Sequence, residues 1–246
     1  MPVWEEARVA SWREWAPGLR TLRLEGRLAP FRAGQFVNLG LDLEGERVQR
    51  SYSLASAPGQ PPELFLVEVP GGRFTGALFA LAPGQPLWVC PHAAGHFTLE
   101  LVPSAPLLWL LCTGTGLAPY LSMLRTPEPW ARFERLILVH AARERAHLAY
   151  GEELAALSAA HEGRLTRVGV VSREPAGEHL AGRIPTLLAG GALEARAGAT
   201  IDPASSQVLL CGNPGMIGEA RALLEARGLR KNRRREPGHI TVEAYW

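Results

Sequence analysis

The sequence predicts two domains of different class: a small antiparallel β barrel or sandwich, then a mainly parallel α/β sheet flanked by helices. Three observations carry this. The first hundred residues read as short strands parted by Pro- and Gly-rich turns. From about residue 107 apolar strands alternate with helical stretches. Between the two lies LVPSAP at 101–106, with two prolines and little that continues either kind of element. That division gives residues 1–101 and 102–246.

In the first part, VNLGLDL (37–43), QRSYSLAS (49–56), ELFLVEV (63–69) and PLWVC (86–90) are alternating or apolar runs of strand length. LAPG at 81–84 is a turn before a strand, and Gly71-Gly72-Arg73-Phe74-Thr75 adds a turn with backbone N–H groups and a hydroxyl. No strand is assigned to the charged N-terminal stretch. In the second part, LLWLLCTGTG (107–116), RLILVHAAR (135–143), LTRVGVVSRE (165–174) and SQVLLCGNPGM (206–216) read as four strands. Residues 120–124, 150–162 and 217–228 read as helices, the last with a glycine stop, and HITVEAYW (239–246) as a closing strand.

Composition narrows the function. Of 246 residues, 47% are apolar and 20% charged, which excludes general disorder. The longest apolar run, 105–112, is far short of a membrane span. The N-terminus carries acidic residues and does not read as a signal peptide, so a cytoplasmic location and no membrane partner are expected. Cys90, Cys112 and Cys211 are widely spaced and form no CxxC. None of the seven histidines makes a tight metal spacing, so no metal is expected. There is no GxSxG elbow. The net charge of +2 is no nucleic-acid polycation. Lys231 is the one lysine among 26 Lys plus Arg, so anions must meet guanidinium forks and backbone N–H groups.

Several motifs bear chemistry. Cys112-Thr113-Gly114-Thr115-Gly116-Leu117-Ala118-Pro119 follows a strand, and its small residues let a backbone approach a pyrophosphate. It is neither GxGxxG nor a Walker loop, and a tight structural turn is the other reading. Cys211-Gly212-Asn213-Pro214-Gly215-Met216 also ends a strand, where Cys211 is either a ligand contact or a small core residue. Arg143, Arg173 and Arg183 stand at or beside strand tips, placed for a sugar phosphate or merely for solvent. Arg50-Ser51-Tyr52-Ser53 offers a cation, a stacking ring and a hydroxyl, or an ordinary surface strand. The basic run at 230–238 reads as an exposed loop, with a nucleotide phosphate or an acidic partner as alternatives. The terminal Tyr245-Trp246 pair suits docking in an apolar groove or on a flat cofactor.

Together these segments resemble the ferredoxin/flavodoxin–NADP⁺ reductase family, in its short bacterial branch. Arg50-Ser51-Tyr52-Ser53 resembles its RxYS signature, residues 114–119 its GTGxAP and residues 211–216 its CGNPxM, with Val242-Glu243 and the terminal aromatics closing the chain. The resemblance covers nearly the whole chain in family order. It implies a Greek-key FAD-binding barrel and an NADP(H)-binding α/β domain. It assigns Arg50, Tyr52, Gly72, Phe74 and Thr75 to FAD. It assigns Thr113, Gly114, Thr115 and Gly116 to the NADP(H) pyrophosphate loop, and Arg173 and Arg183, supported by Arg143, to the 2′-phosphate. Ser53, Cys211 and Glu243 stand at the reacting rings, Tyr245 over the isoalloxazine and Trp246 toward the FAD adenine.

The implied reaction is hydride transfer between nicotinamide and flavin, then single-electron exchange with a small acidic carrier, ferredoxin or flavodoxin. A monomer is expected, with a dimer left open. The same fold also serves reductases of quinones or siderophore iron, and a redox-sensing flavoprotein without turnover.

Overall fold

The structure is a computed structural model and describes residues 3–245. The chain forms two compact units. One comprises the residues up to Thr98 together with Ala118–Thr126, the other Leu99–Leu117 and the residues from Pro127 onward.

The first unit is an antiparallel sheet of β1 (Glu5–Ala16), β2 (Leu19–Leu24), β3 (Phe36–Leu43), β4 (Glu46–Ser53), β5 (Glu63–Val67) and β6 (Pro86–Val89). Its order is β4-β3-β6-β1-β2-β5, and a bridge between Leu54 and Leu64 brings its two edges together into a barrel. The inward positions Val9, Leu22, Leu39, Leu64, Leu66 and Leu87 fill the interior. Helix α1 (Arg73–Phe79) buries Phe74 and Leu78 in the same core.

The strands at 5–16 and 19–24 were not expected. Only Ala7, Val9 and Ala16 of β1 are buried, and most of its other positions are Trp, Arg or Glu. A long strand with so narrow a buried stripe carries little apolar signal. Helix α1 likewise stands where the sequence reads as a turn, because only seven residues follow the glycine pair before the next break.

Helix α2 (Ala118–Leu124) belongs to this unit. Ser122 Oγ donates to the Ser56 carbonyl at 2.6 Å and Arg125 to the Ala55 carbonyl at 2.6 Å. Arg125 also pairs with the buried Glu63 at 2.9 Å, which Arg23 meets from the other side at 2.9 Å.

The second unit is a six-stranded parallel sheet of β7 (Leu107–Thr113), β8 (Arg135–Ala142), β9 (Leu165–Val171), β10 (Leu180–Ala181), β11 (Ser206–Gly212) and β12 (Ile240–Ala244), ordered β10-β9-β8-β7-β11-β12. Trp109, Leu111, Ile137, Val139, Val208 and Leu210 line one face. Against it pack α5 (Ile184–Ala189), α6 (Ala192–Ala197) and α7 (Pro214–Ala226). On the other face, Arg167 of β9 donates to the Gly151 carbonyl that opens α4 (Gly151–Ala160). The short α3 (Glu128–Arg132) precedes β8. Among the described residues no helix is long and apolar enough to cross a membrane.

Candidate functional site

In a parallel sheet, ligands bind beyond the strand ends where the chain order reverses. Here that point lies between β7 and β11, because the chain runs from β7 out through β8, β9 and β10 and then returns to β11 and β12. Two predicted motifs meet there. A 3-10 turn at Gly114–Leu117 follows β7, and Asn213 caps α7 by accepting a hydrogen bond from the Met216 N–H at 3.1 Å.

The motifs interlock through missing side chains. A Cβ on Gly116 would stand 2.8 Å from the Cys211 carbonyl oxygen. A Cβ on Gly212, whose φ is +121°, would stand 2.3 Å from Thr113 Oγ1. Thr113 Oγ1 also accepts a hydrogen bond from the Asn213 N–H at 2.9 Å. Thr113 thus shapes the junction, while Gly114 faces open space where an added Cβ would touch nothing.

Register pairing builds a polar row beneath this junction. Cys112 pairs with His140 on one side and Cys211 on the other, and Cys211 pairs with Glu243. Burial pushes the Cys211 thiol well up, the neighbouring Glu243 carboxylate pushes the same way, and a hydrogen bond with Tyr245 opposes them. Burial alone raises Cys112. Both therefore stand as neutral thiols. His140 is buried, and its Nε2 lies 3.0 Å from the Gly114 carbonyl oxygen. Sequence reasoning missed His140. Its signal was a lone polar residue near the end of an otherwise apolar strand, RLILVHAA.

The three predicted arginines gather at one edge. Arg143 follows β8, Arg173 follows β9 by two residues, and Arg183 follows β10 and caps α5. The Arg173 N–H donates to the Arg143 carbonyl at 2.9 Å, which ties the first two tips together. All three side chains are exposed, and among the described residues none has a partner. Arg145 close by is different: it is spent on Glu174, to which its N–H donates at 2.5 Å.

The first unit holds the other predicted group. β4 is an edge strand whose residues 46–51 are largely exposed. Arg50 is exposed and donates to the adjoining Gln49 carbonyl at 2.7 Å. Tyr52 stacks on Phe74 with ring centroids 6.1 Å apart, and burial pushes its phenol up to about 12. Ser53 is buried and pairs with Phe36 in register. Thr75 Oγ1 accepts a hydrogen bond from the Val69 N–H at 3.1 Å, closing the turn before α1. A Cβ on Gly72 would lie 2.6 Å from that hydroxyl, so the turn stays bare at its N-cap. Trp246 lies outside the described residues.

Known proteins resemble this chain along nearly its whole length. Residues 110–222 match the oxidoreductase NAD-binding domain. The flavodoxin/ferredoxin–NADP reductase of Escherichia coli (strain K12) is 44% identical over 248 residues, spanning 100% of both chains. This chain belongs to the ferredoxin/flavodoxin–NADP reductase family. The ferredoxin–NADP reductase of Pseudomonas aeruginosa is 33% identical over 96% of this chain and 93% of that one. A solved ferredoxin NADP⁺ reductase from Neisseria gonorrhoeae, with bound FAD and NADP, superposes with a TM-score of 0.93 at 30% identity, covering 99% of each chain.

The chain is accordingly a flavoenzyme, an FAD-dependent oxidoreductase linking NADP(H) and flavin redox chemistry. Its residues fit such cofactors. The reductase offers a bare glycine turn and a stacked tyrosine in one unit, and a glycine loop with unpartnered guanidiniums in the other.

Proposed function

We propose that this reductase passes hydride between NADP(H) and FAD, and single electrons between FAD and a small acidic carrier, ferredoxin or flavodoxin, in the cytoplasm. Bound FAD supplies the two-electron to one-electron conversion, so the protein needs no nucleophile and contributes placement and electrostatics.

In the first unit, Arg50 and the bare turn at Gly72 meet the FAD phosphates, with Thr75 holding that turn. Phe74 backs Tyr52, which flanks the flavin. In the second unit, backbone N–H groups of Gly114, Thr115 and Gly116 hold the NADP(H) pyrophosphate, and Thr113 fixes the loop against the 211–213 turn. Cys211 and Glu243, neighbours in register, orient the nicotinamide, and Ser53 stands at the flavin side of the transfer. Neutral Cys211 packs without bringing a second anion beside Glu243. Tyr245 covers the flavin face that the nicotinamide must reach.

The observation that carries NADP(H) over NAD(H) is the set of three unpartnered arginines on adjacent strand tips. A 2′-phosphate gives them a bidentate partner, whereas NADH leaves their charges unanswered. The test is anaerobic reduction of the yellow protein. NADPH bleaches it much faster than NADH, and the double variant Arg173→Ala/Arg183→Ala raises the NADPH KM sharply while NADH stays nearly unchanged. Colourless protein that rejects FAD overturns the flavin reading, and equal losses for both coenzymes overturn the 2′-phosphate assignment. A panel of ferredoxin, flavodoxin, quinone and ferric siderophore under NADPH identifies the acceptor.

A further inference from the structure

We infer that His140 is a positioning residue for the coenzyme: it locks the Gly114–Thr115 peptide so that the Thr115 N–H points out toward the dinucleotide pyrophosphate. This rests on the reading of residues 113–116 as the pyrophosphate loop.

The geometry is specific about the hydrogen. A carbonyl oxygen only accepts, so at 3.0 Å from the Gly114 oxygen His140 Nε2 must carry the proton. The ring sits in the row that links β8 to β7, paired with Cys112, two residues before Gly114. It is buried there and cannot exchange this partner for solvent.

The consequence follows from peptide planarity. Among the described residues no peptide bond is cis. In a planar trans peptide the C=O and the following N–H point in opposite directions. Drawing the Gly114 carbonyl in toward His140 therefore turns the Thr115 N–H outward. That is the donor an anion needs.

His140 adds to the hold of the 3-10 turn on this carbonyl, and the residue it acts on is a pliable one. Gly114 has φ +54°, and a Cβ placed there would meet nothing within 4 Å. A glycine with free space around it rotates its flanking peptides more readily than any other residue. A flip of the Gly114–Thr115 peptide would present a carbonyl oxygen to the phosphate in place of an N–H. His140 holds it in the binding orientation before coenzyme arrives, which lowers the ordering cost of binding.

Three ligands separate this role from a general structural one. NADPH and NADH both carry the pyrophosphate, whereas 2′-AMP carries the 2′-phosphate without it. The variant His140→Leu removes the donor, and His140→Gln keeps an N–H at similar reach. His140→Leu is expected to raise KM for NADPH and NADH by the same factor, about tenfold for loss of a donor's alignment to a charged group. Its kcat should move less, its 2′-AMP inhibition constant should stay within about twofold, and His140→Gln should recover most of the loss. Unchanged KM values overturn the inference. So does a 2′-AMP constant that weakens in parallel, because that marks a disturbed unit and not a misaimed loop.

A measurement on the wild-type protein covers the case where His140→Leu does not fold. In ¹⁵N NMR spectra the Thr115 amide should shift on adding NADP⁺ and stay still on adding 2′-AMP, with His140 protonated on Nε2 throughout. A still Thr115 amide with saturating NADP⁺, or an Nδ1–H tautomer, overturns the positioning role alone. Wild-type protein that NADPH does not saturate overturns the coenzyme reading and this inference with it.

Discussion

The buried imidazole of His140 makes acid stability a direct test of the row beneath the nucleotide loop. Burial pulls this ring down from 6.5 to about 4, opposed by the hydrogen bond to the Gly114 carbonyl. An unfolded imidazole keeps its ordinary value, so between those pH values the unfolded chain binds a proton that the folded chain refuses. The stabilising contribution is present in full above the unfolded value and is lost as pH falls toward the folded one. Each pH unit inside that window costs about 1.4 kcal/mol, so lowering the pH from about 7 to about 5 removes about 2 kcal/mol through this one residue.

The chain holds six other histidines and 24 Asp plus Glu, so the measurement is a difference. Urea unfolding of the FAD-loaded protein is followed by circular dichroism at several pH values, for the wild type and for His140→Gln. The wild type should lose about 2 kcal/mol more than the variant over that interval, whatever their separation at neutral pH. Parallel curves would refute the argument. They would mean that the ring is solvated or already charged in the folded state, and the Gly114 contact would then have to be reconsidered.

Other perturbations read different parts of the molecule. Gly116→Ala drives a Cβ to 2.8 Å from the Cys211 carbonyl, a backbone contact that cannot swing aside. It should cost about 1–3 kcal/mol in unfolding experiments, and an unchanged midpoint would show that the two turns are not interlocked. Glu63→Gln leaves Arg125 without its carboxylate and should destabilise the protein by about 3 kcal/mol by the same assay, whereas a loss no larger than that of an exposed pair would show the site to be solvated. Removing Tyr245 and Trp246 should alter the visible spectrum of bound FAD or the Kd for NADP⁺. Neither changing would mean that the tail packs only on protein. Cys112 and Cys211, buried and held neutral, should resist a thiol reagent in the native state and react on unfolding, and fast native labelling would contradict their burial.

How much of this was legible beforehand depended on how strongly each segment's pattern was one-sided. β7, β8 and β11 are buried nearly end to end, so apolar runs such as LLWLLC and SQVLLC announced them. β1 sets three buried residues among exposed Arg and Glu and half-buried Trp, so the longest strand of the barrel shows no apolar run. Helices α5 and α6 span six residues each, too short to show a helical period. The site divided along the same line. Motifs that are local in sequence, such as 113–116 and 211–216, could be read directly. The row His140, Cys112, Cys211, Glu243 could not, because only in-register pairing of four distant strands makes those residues neighbours.

The arginine excess shows most clearly what structure adds. Composition required that anions be met by guanidiniums but could not sort them. The fold does so by supplying most of them with acceptors. Arg132 reaches the Leu99 and Val102 carbonyls, Arg135 those of Ala197 and Gly198, Arg164 those of Trp130 and Phe133, and Arg227 both Leu188 and Glu194. Each spans two acceptors with one planar fork, which a lysine's single ammonium does not do as well. Replacing such an arginine by lysine should therefore lower stability and leave coenzyme choice alone. Arg143, Arg173 and Arg183 have no acceptor among the described residues, and they stand together on adjacent strand tips. Replacing one of them by lysine should do the reverse, weakening NADPH selectively while the unfolding midpoint holds. If both classes of substitution moved stability and coenzyme preference alike, the division of the arginines into structural and ligand-facing groups would fail.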